Sequence, residues 1–170
     1  MTISLTIRDE EPRDVQAIAE VTRAAFAGHP HASDTEHFIV AALRRSGALT
    51  VSLVAEQGDR IVGHVAFSPV TIADGSQHWY GLGPVSVAPD RQRGGIGSRL
   101  IEEGLNRLRE LGASGCVVLG DPKYYTRFGF APDPQLTYAG VPPEYFLALP
   151  LGSTPAVGEV RYHTAFAATN

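Results

Sequence analysis

The chain lacks most of what several common chemistries require. Its 170 residues include one cysteine, Cys116, so an internal disulfide framework is excluded. Cys116 sits in an apolar run and reads as a buried core thiol rather than a nucleophile. No run approaches the ~18 consecutive apolar residues a membrane helix needs. The opening Met-Thr-Ile-Ser-Leu-Thr-Ile-Arg has no charged start followed by a long apolar stretch, which argues against a signal peptide. A soluble, cytoplasmic protein without a membrane partner is the default expectation. Lys123 is the only lysine, a coding bias to which no function attaches.

Strong net charge is also missing. The formal value of −4 argues against nucleic acid as a partner, since such binders carry a net basic surface. A local basic patch remains available at Arg91, Arg93 and Arg99. Repeats, low-complexity segments and a dividing linker are absent. Hydrophobic residues make up 44% of the sequence, enough to bury one core, so residues 1–170 are expected to form a single domain.

What is present reads in order along the chain. Residues 5–8 suit a first strand. Asp9 then offers a helix cap, and Pro12 is tolerated in the first turn. Val15, Ile18, Ala19, Thr22, Ala25 and Phe26 recur at helical spacing until Gly28-His29-Pro30-His31 breaks the pattern. Ser33 and Glu36 fit a capping box, opening a second helix through Leu43 that Gly47 ends. Residues 50–56 and 61–70 read as a hairpin about the turn Gln57-Gly58-Asp59-Arg60. Asp74-Gly75 turns the chain into a strand over 79–87. From Ser98 a helix carries Leu100, Ile101, Gly104, Leu105, Leu108 and Leu111, and Gly112 caps it. Residues 116–119 form a compact strand, and strands flanking a crossover helix are expected to be parallel. Asp121 and Pro122 look like the cap and first position of a short helix ending at Gly129. The last strands fall at 145–149 and 160–166. Between them, proline and glycine are too frequent for an assignment.

The most informative segment is Gln92-Arg93-Gly94-Gly95-Ile96-Gly97. It is a glycine-rich turn between a strand and a helix. The first N–H groups of a helix lack intrahelical partners, and the helix dipole adds positive charge at that end. Glycines let the backbone approach an anion with no Cβ in the way. Such a turn can hold a diphosphate by backbone donors. The nucleoside triphosphate fingerprint fails for want of Gly-Lys-Ser/Thr. The dinucleotide fingerprint fails because Leu100 stands where its third glycine belongs.

These residues resemble the GNAT superfamily of N-acetyltransferases, whose diphosphate motif is Gln/Arg-x-x-Gly-x-Gly/Ala. Val85-Ser86-Val87-Ala88-Pro89 resembles the family's pantetheine-binding strand. Tyr125-Thr126-Arg127-Phe128-Gly129-Phe130 resembles its Tyr-x-x-x-Gly-Phe segment. Leu119-Gly120-Asp121-Pro122-Lys123-Tyr124-Tyr125 is similar to a bacterial subgroup of these enzymes. The resemblance spans nearly the whole chain. It implies an α/β (α+β) GNAT fold, a mixed central sheet of about seven strands flanked by about four helices. It implies acetyl-CoA as acyl donor, held by Val85, Ser86, Val87, Gln92, Arg93, Gly94, Gly95, Ile96, Gly97 and Ser98. It implies an amine as acceptor, no metal, and a monomer or homodimer.

Acetyl transfer needs a neutral amine, a stabilised oxyanion and a proton for the departing thiolate. Direct transfer needs no covalent enzyme intermediate. Tyr125 matches the family's general acid, and a phenol with a pKa of about 10 is protonated at neutral pH. Its structural alternative is a core tyrosine. Tyr124 has the wrong spacing to Gly129. By the resemblance, a backbone N–H at Val85 or Val87 serves the oxyanion, whereas Pro84 has none to give. For a base, Glu56 reads better as a solvated turn residue and His64 as a satisfied core histidine. Ser86 is a candidate to position a water. His29, His31 and His37 suggest a metal, but no carboxylate or cysteine completes a metal spacing. By the resemblance, the loop between the first two helices borders the acceptor site, which makes these histidines candidates for touching substrate. The sequence leaves open transfer of another acyl group, transfer to oxygen, and a non-catalytic acyl-CoA-binding module.

Overall fold

The computed structural model describes residues 3–30 and 32–170. β1 (Leu5–Asp9) leads to the helices α1 (Val15–Phe26) and α2 (Glu36–Arg45). β2 (Val51–Gln57), β3 (Arg60–Ile72) and β4 (Trp79–Val87) then pair antiparallel, with β1 on the outer edge of β2. α3 (Ile96–Glu110) crosses over to β5 (Gly115–Leu119), which runs parallel to β4 as expected. After α4 (Pro122–Tyr125) come β6 (Ala131–Pro132), β7 (Leu136–Thr137), β8 (Phe146–Pro150) and β9 (Gly158–Tyr162). The sheet order is β1-β2-β3-β4-β5-β8-β6, with β9 bonded to β3 and β7. The sheet is thus mixed, with nine strands among the described residues where about seven were expected.

Alternation along β3 assigns its two faces. Phe67 points at α3, where its ring fills the space beside Gly104. On the other face, Val54 of β2 packs with Ile18 of α1 and Val40 of α2. His64 lies opposite Val54 in the ladder and shares that face.

Local chemistry shifted several element boundaries. Asp9 does not cap α1. It ends β1, and the chain enters through a 3-10 turn over Pro12–Asp14, where Glu11 and Asp14 form the capping box. Asp14 is stabilised there by Arg8 at 2.8 Å and by the Glu11 N–H at 2.7 Å. Thr35, not Ser33, is the N-cap of α2, although the Ser33 N–H and hydroxyl do bond Glu36. α3 begins two residues before Ser98. β9 stops at Tyr162, and Thr164–Ala167 turns as a 3-10 helix in place of continued strand.

The feature that positions the site is where β4 and β5 part. They pair only over Trp79–Gly81 and Gly115–Val117. Just beyond, Gly83 and Pro84 stand opposite Ala66 of β3 alone, a bulge that bends β4. β5 stays with β8 as far as Leu119. A wedge therefore opens between β4 and β5, with the start of α3 at its mouth.

Candidate active site

The turn before α3 is built for close approach. Arg93 and Gly95 both take left-handed backbone, at φ 68° and 88°. That is strain of order 1 kcal/mol for arginine and little for glycine. Gly95 is the N-cap, and the Arg99 N–H is the first to find a helical partner, the Gly95 carbonyl at 3.1 Å. The N–H groups of Ile96, Gly97 and Ser98 are left facing outward at the positive end of a fifteen-residue helix. Nothing lies within 4 Å of the Cβ position at Gly95, and only Tyr124 and Val87 approach that at Gly97.

The edge of β4 supplies a second row of groups. The Ala88 N–H bonds the Val62 carbonyl of β3 at 2.8 Å. Antiparallel ladders alternate, so the main chain of Ser86 also faces β3, while those of Val85 and Val87 face the wedge. The Val87 carbonyl accepts a bond from Gln92 Nε2 at 3.0 Å, which pins the turn to the strand. Val85 lies beyond the paired stretch, so its wedge-facing main-chain donor and acceptor have no β5 partner.

A cavity of about 330 Å³ joins these parts, lined by Val87, Arg91, Gln92, Arg93, Gly95, Ile96, Gly97, Ser98, Tyr124 and Arg127. Asp121 caps α4 through the Lys123 N–H, and Gly129 ends the following 3-10 turn with φ 98°. The tyrosine pair of α4 divides in two directions. Tyr124 faces α3, its hydroxyl 3.1 Å from Ser98 Oγ, and the Arg127 guanidinium lies over its ring at 4.4 Å. Tyr125 packs against Gly120, where a Cβ would fall 2.3 Å from its ring, and edge-on to Phe130. Burial, helped by Tyr124, pushes the Tyr125 phenol up to about 12. It is protonated at any physiological pH.

Of the residues singled out in the sequence, Val87, Gln92, Arg93, Gly95, Ile96, Gly97 and Ser98 meet in this cavity. Gly94 sits in the same turn, and Val85 on the adjoining strand edge. Ser86 does not join them: its main chain faces β3, and its hydroxyl is buried on the α1 face without a partner among the described residues. Glu56 is not a free turn carboxylate, since Arg8 holds it at 3.2 Å. Cys116 is fully buried and its thiol is pushed up by that burial. His37 packs on Phe38, and His31 lies outside the described residues. Among the described residues no group of three His, Cys, Asp or Glu is placed to hold a metal. No described helix is long and apolar enough to cross a membrane.

Sequence reasoning missed Tyr124 and Arg127 as cavity residues. Their i, i+3 spacing on a capped helical turn was the available signal. It also missed a second cavity of about 410 Å³, walled by Tyr138, Tyr162 and Phe166 with Glu159 and His163 at hand. Tyr138 and Glu159 fall in segments left without an assignment, and residues 160–166 had read as one continuous strand.

Comparison with known proteins gives the site a context. Residues 6–132 match the acetyltransferase (GNAT) domain model. The chain is 39% identical over 127 residues to the uncharacterized N-acetyltransferase YhbS of Escherichia coli K12, covering 74% of this chain and 73% of that one. It is similar along 96% of its length to a GNAT family acetyltransferase from Brucella melitensis in complex with acetyl-CoA. There the identity is 48%, the TM-score 0.86, and 98% of that chain is covered. The structure of E. coli YhbS in complex with CoA matches with a TM-score of 0.89 at 33% identity, over the full chain and 96% of that one. The cavity at the start of α3, the parted strands and the matched sequence lead to one conclusion: this chain belongs to the GNAT family of acetyltransferases.

Proposed function

We propose that the chain transfers an acetyl group from acetyl-CoA to a primary amine, on a small molecule or a protein, by direct attack. The observation that carries this reading is the alignment of two binding rows. The outward N–H groups of Ile96, Gly97 and Ser98 suit a diphosphate. The wedge-facing main chain of Val85 and Val87 suits an extended amide-bearing arm, and leads from the diphosphate site to the parting of β4 and β5. The relatives crystallised with acetyl-CoA and CoA support the same donor.

The chemistry follows from the groups at hand. The amine nitrogen attacks the thioester carbon, and the Val85 N–H is the donor available to the developing oxyanion. The C–S bond then breaks, and the Tyr125 hydroxyl gives its proton to the thiolate. No nucleophile of the chain forms a bond to the acetyl group.

An acceptor screen that follows release of free thiol from acetyl-CoA tests the reading. Thiol release with at least one amine, together with the acetylated amine by mass, is the expected result. Binding of acetyl-CoA with no release across a broad panel would instead leave an acyl-CoA-binding module. Faster turnover of longer acyl donors, or of alcohols, would shift the reaction class.

A further inference from the structure

Polar atoms buried without a partner are uncommon, because each costs roughly 1–3 kcal/mol. Among the described residues six side-chain atoms are in that state; Glu36 Oε1, at the start of α2, stands apart, and the other five lie on or against one face of the sheet. Thr22 Oγ1, His64 Nδ1, Ser68 Oγ and Ser86 Oγ are all buried and unpartnered among the described residues. His64, Ser68 and Ser86 lie on the α1 face of the β3–β4 ladder, His64 directly opposite Ser86 and Ser68 opposite Gly81. Thr22 lies one turn along α1 from Ile18, which packs on that face. The Tyr162 hydroxyl, buried and unpartnered too, belongs to a ring packed on Gly81, the last β4 residue paired with β5. The seam therefore runs from the parting of the strands to His64.

At its far end the hydrogen bonds fix the imidazole. Arg44 of α2 grips Glu10 with two bonds of 2.8 and 2.9 Å. The Ser52 hydroxyl donates to Glu10. Ser52 Oγ has spent its proton there, so it accepts from His64 Nε2 at 2.8 Å. His64 thus carries its proton on Nε2 and presents the lone pair of Nδ1 into the seam. Glu10 reaches solvent, with 16% of its side chain exposed.

We propose that water held in this seam carries the proton shed by the attacking amine to His64, and that Ser52 and Glu10 pass it to solvent. The inference rests on the acetyl-transfer reading above. When the C–N bond has formed, the nitrogen gives a proton to the first water. The last water protonates Nδ1 as the Nε2 proton moves to Ser52 Oγ and the Ser52 hydroxyl proton moves to Glu10. One proton leaves the amine and one arrives at the carboxylate. The imidazole only exchanges tautomers, so no buried imidazolium has to persist, in keeping with a ring held down to about 4 by burial. Burial would raise the Glu10 carboxyl, but Arg44 and Ser52 hold it below its ordinary range, so it releases the proton at neutral pH. Glu10 and Arg44 are the charged groups that act on the ring. α1, β2 and β4 present Thr22, Ser52 and Ser86.

Nitrogen-15 spectra of His64 and a high-resolution structure with CoA test the seam without turnover. A proton on Nε2, and water within hydrogen-bond distance of both Nδ1 and Ser86 Oγ, are expected. The opposite tautomer, or a dry seam, would overturn the proposal. With an acceptor in hand, Ser52→Ala, Glu10→Gln and His64→Gln should each lower kcat at least tenfold and leave acetyl-CoA affinity within twofold. His64→Gln can keep a bond to Ser52 but cannot relay a proton. Wild-type kcat in these variants would sink the relay. If one of them does not fold, the others and the spectra decide. Should the wild type acetylate no amine at all, the acetyl-transfer reading fails first, and the spectra still judge the seam.

Discussion

The hydroxyl of Tyr124 sits 3.1 Å from Ser98 Oγ, tying α4 to the first turn of α3. Its neighbour Tyr125 lies edge-on to it and packs on Phe130, while Phe128 touches both rings, that of Tyr124 more closely. The two adjacent phenols therefore differ in setting: Tyr124 lines the cavity at the start of α3, and Tyr125 packs on Gly120 just past β5.

That division predicts a split in kinetics. Tyr125→Phe should lower kcat by about 10²–10⁴, the usual worth of a general acid, with acetyl-CoA affinity within twofold. Tyr124→Phe should instead weaken acetyl-CoA by about 0.5–1.5 kcal/mol, one lost hydrogen bond, with kcat nearly unchanged. Steady-state kinetics beside calorimetric titration of CoA separates the two. The reverse pattern would exchange their roles.

Gly97 offers a test in which fold and ligand respond differently. An added Cβ would meet only ordinary contacts, at 3.5 Å from Tyr124 and 3.6 Å from Val87. Gly97→Ala should therefore leave the unliganded melting temperature within a few degrees, or raise it, since alanine favours a helix by about 1 kcal/mol. Gly97→Glu should abolish the stabilisation by acetyl-CoA, through bulk and like charge against the diphosphate. Undiminished stabilisation would refute the site.

Gly104 should be far less forgiving. A Cβ there would lie 2.1 Å from the ring of Phe67, and both neighbours are fixed in the core. Gly104→Ala should cost about 1–3 kcal/mol by overpacking, read by denaturant unfolding. Phe67→Leu in the same chain should recover part of that loss.

The stability of the protein should fall in acid because of His64. Its ordinary value is 6.5, and burial lowers it to about 4. Between those values the unfolded chain takes up a proton that the folded chain refuses. Above pH 6.5 there is no penalty. It grows as pH falls from 6.5 to 4 and is then constant, at roughly 3 kcal/mol for such a shift. Chemical unfolding across this window should show the slope, and His64→Gln should flatten it.

Much of this was legible in the residues. Periodicity found the helices and the central strands because each buries one regular face, as Leu100, Ile101, Leu105 and Leu108 do on α3. The glycine turn was legible because left-handed backbone and an open helix start demand that composition. What escaped were facts of register. Ser86 and Val87 are neighbours in sequence, yet only the pairing of Ala88 with Val62 decides which of them faces the wedge. His64 read as a satisfied core histidine. It is satisfied on Nε2 alone, and the difference depends on Ser52 and Glu10, which lie 12 and 54 positions away. The second cavity was illegible because β7 gave no pattern of its own, and because the strand read over 160–166 in fact turns into a 3-10 helix after Tyr162, which sets Phe166 beside Tyr162.

The pairing of β9 with β3 also orders the birth of the molecule. Val70–Ile72 of β3 receive Val160–Tyr162 some ninety residues later. Contacts so distant along the chain form late. A nascent chain can complete the sheet that bears the glycine turn while Val70, Thr71 and Ile72 still present bare edge groups to other chains. Arrival of the final strand covers that edge and, in the same event, brings Tyr162 onto Gly81. The step that protects the protein from aggregation is thus also the one that finishes its aromatic wall.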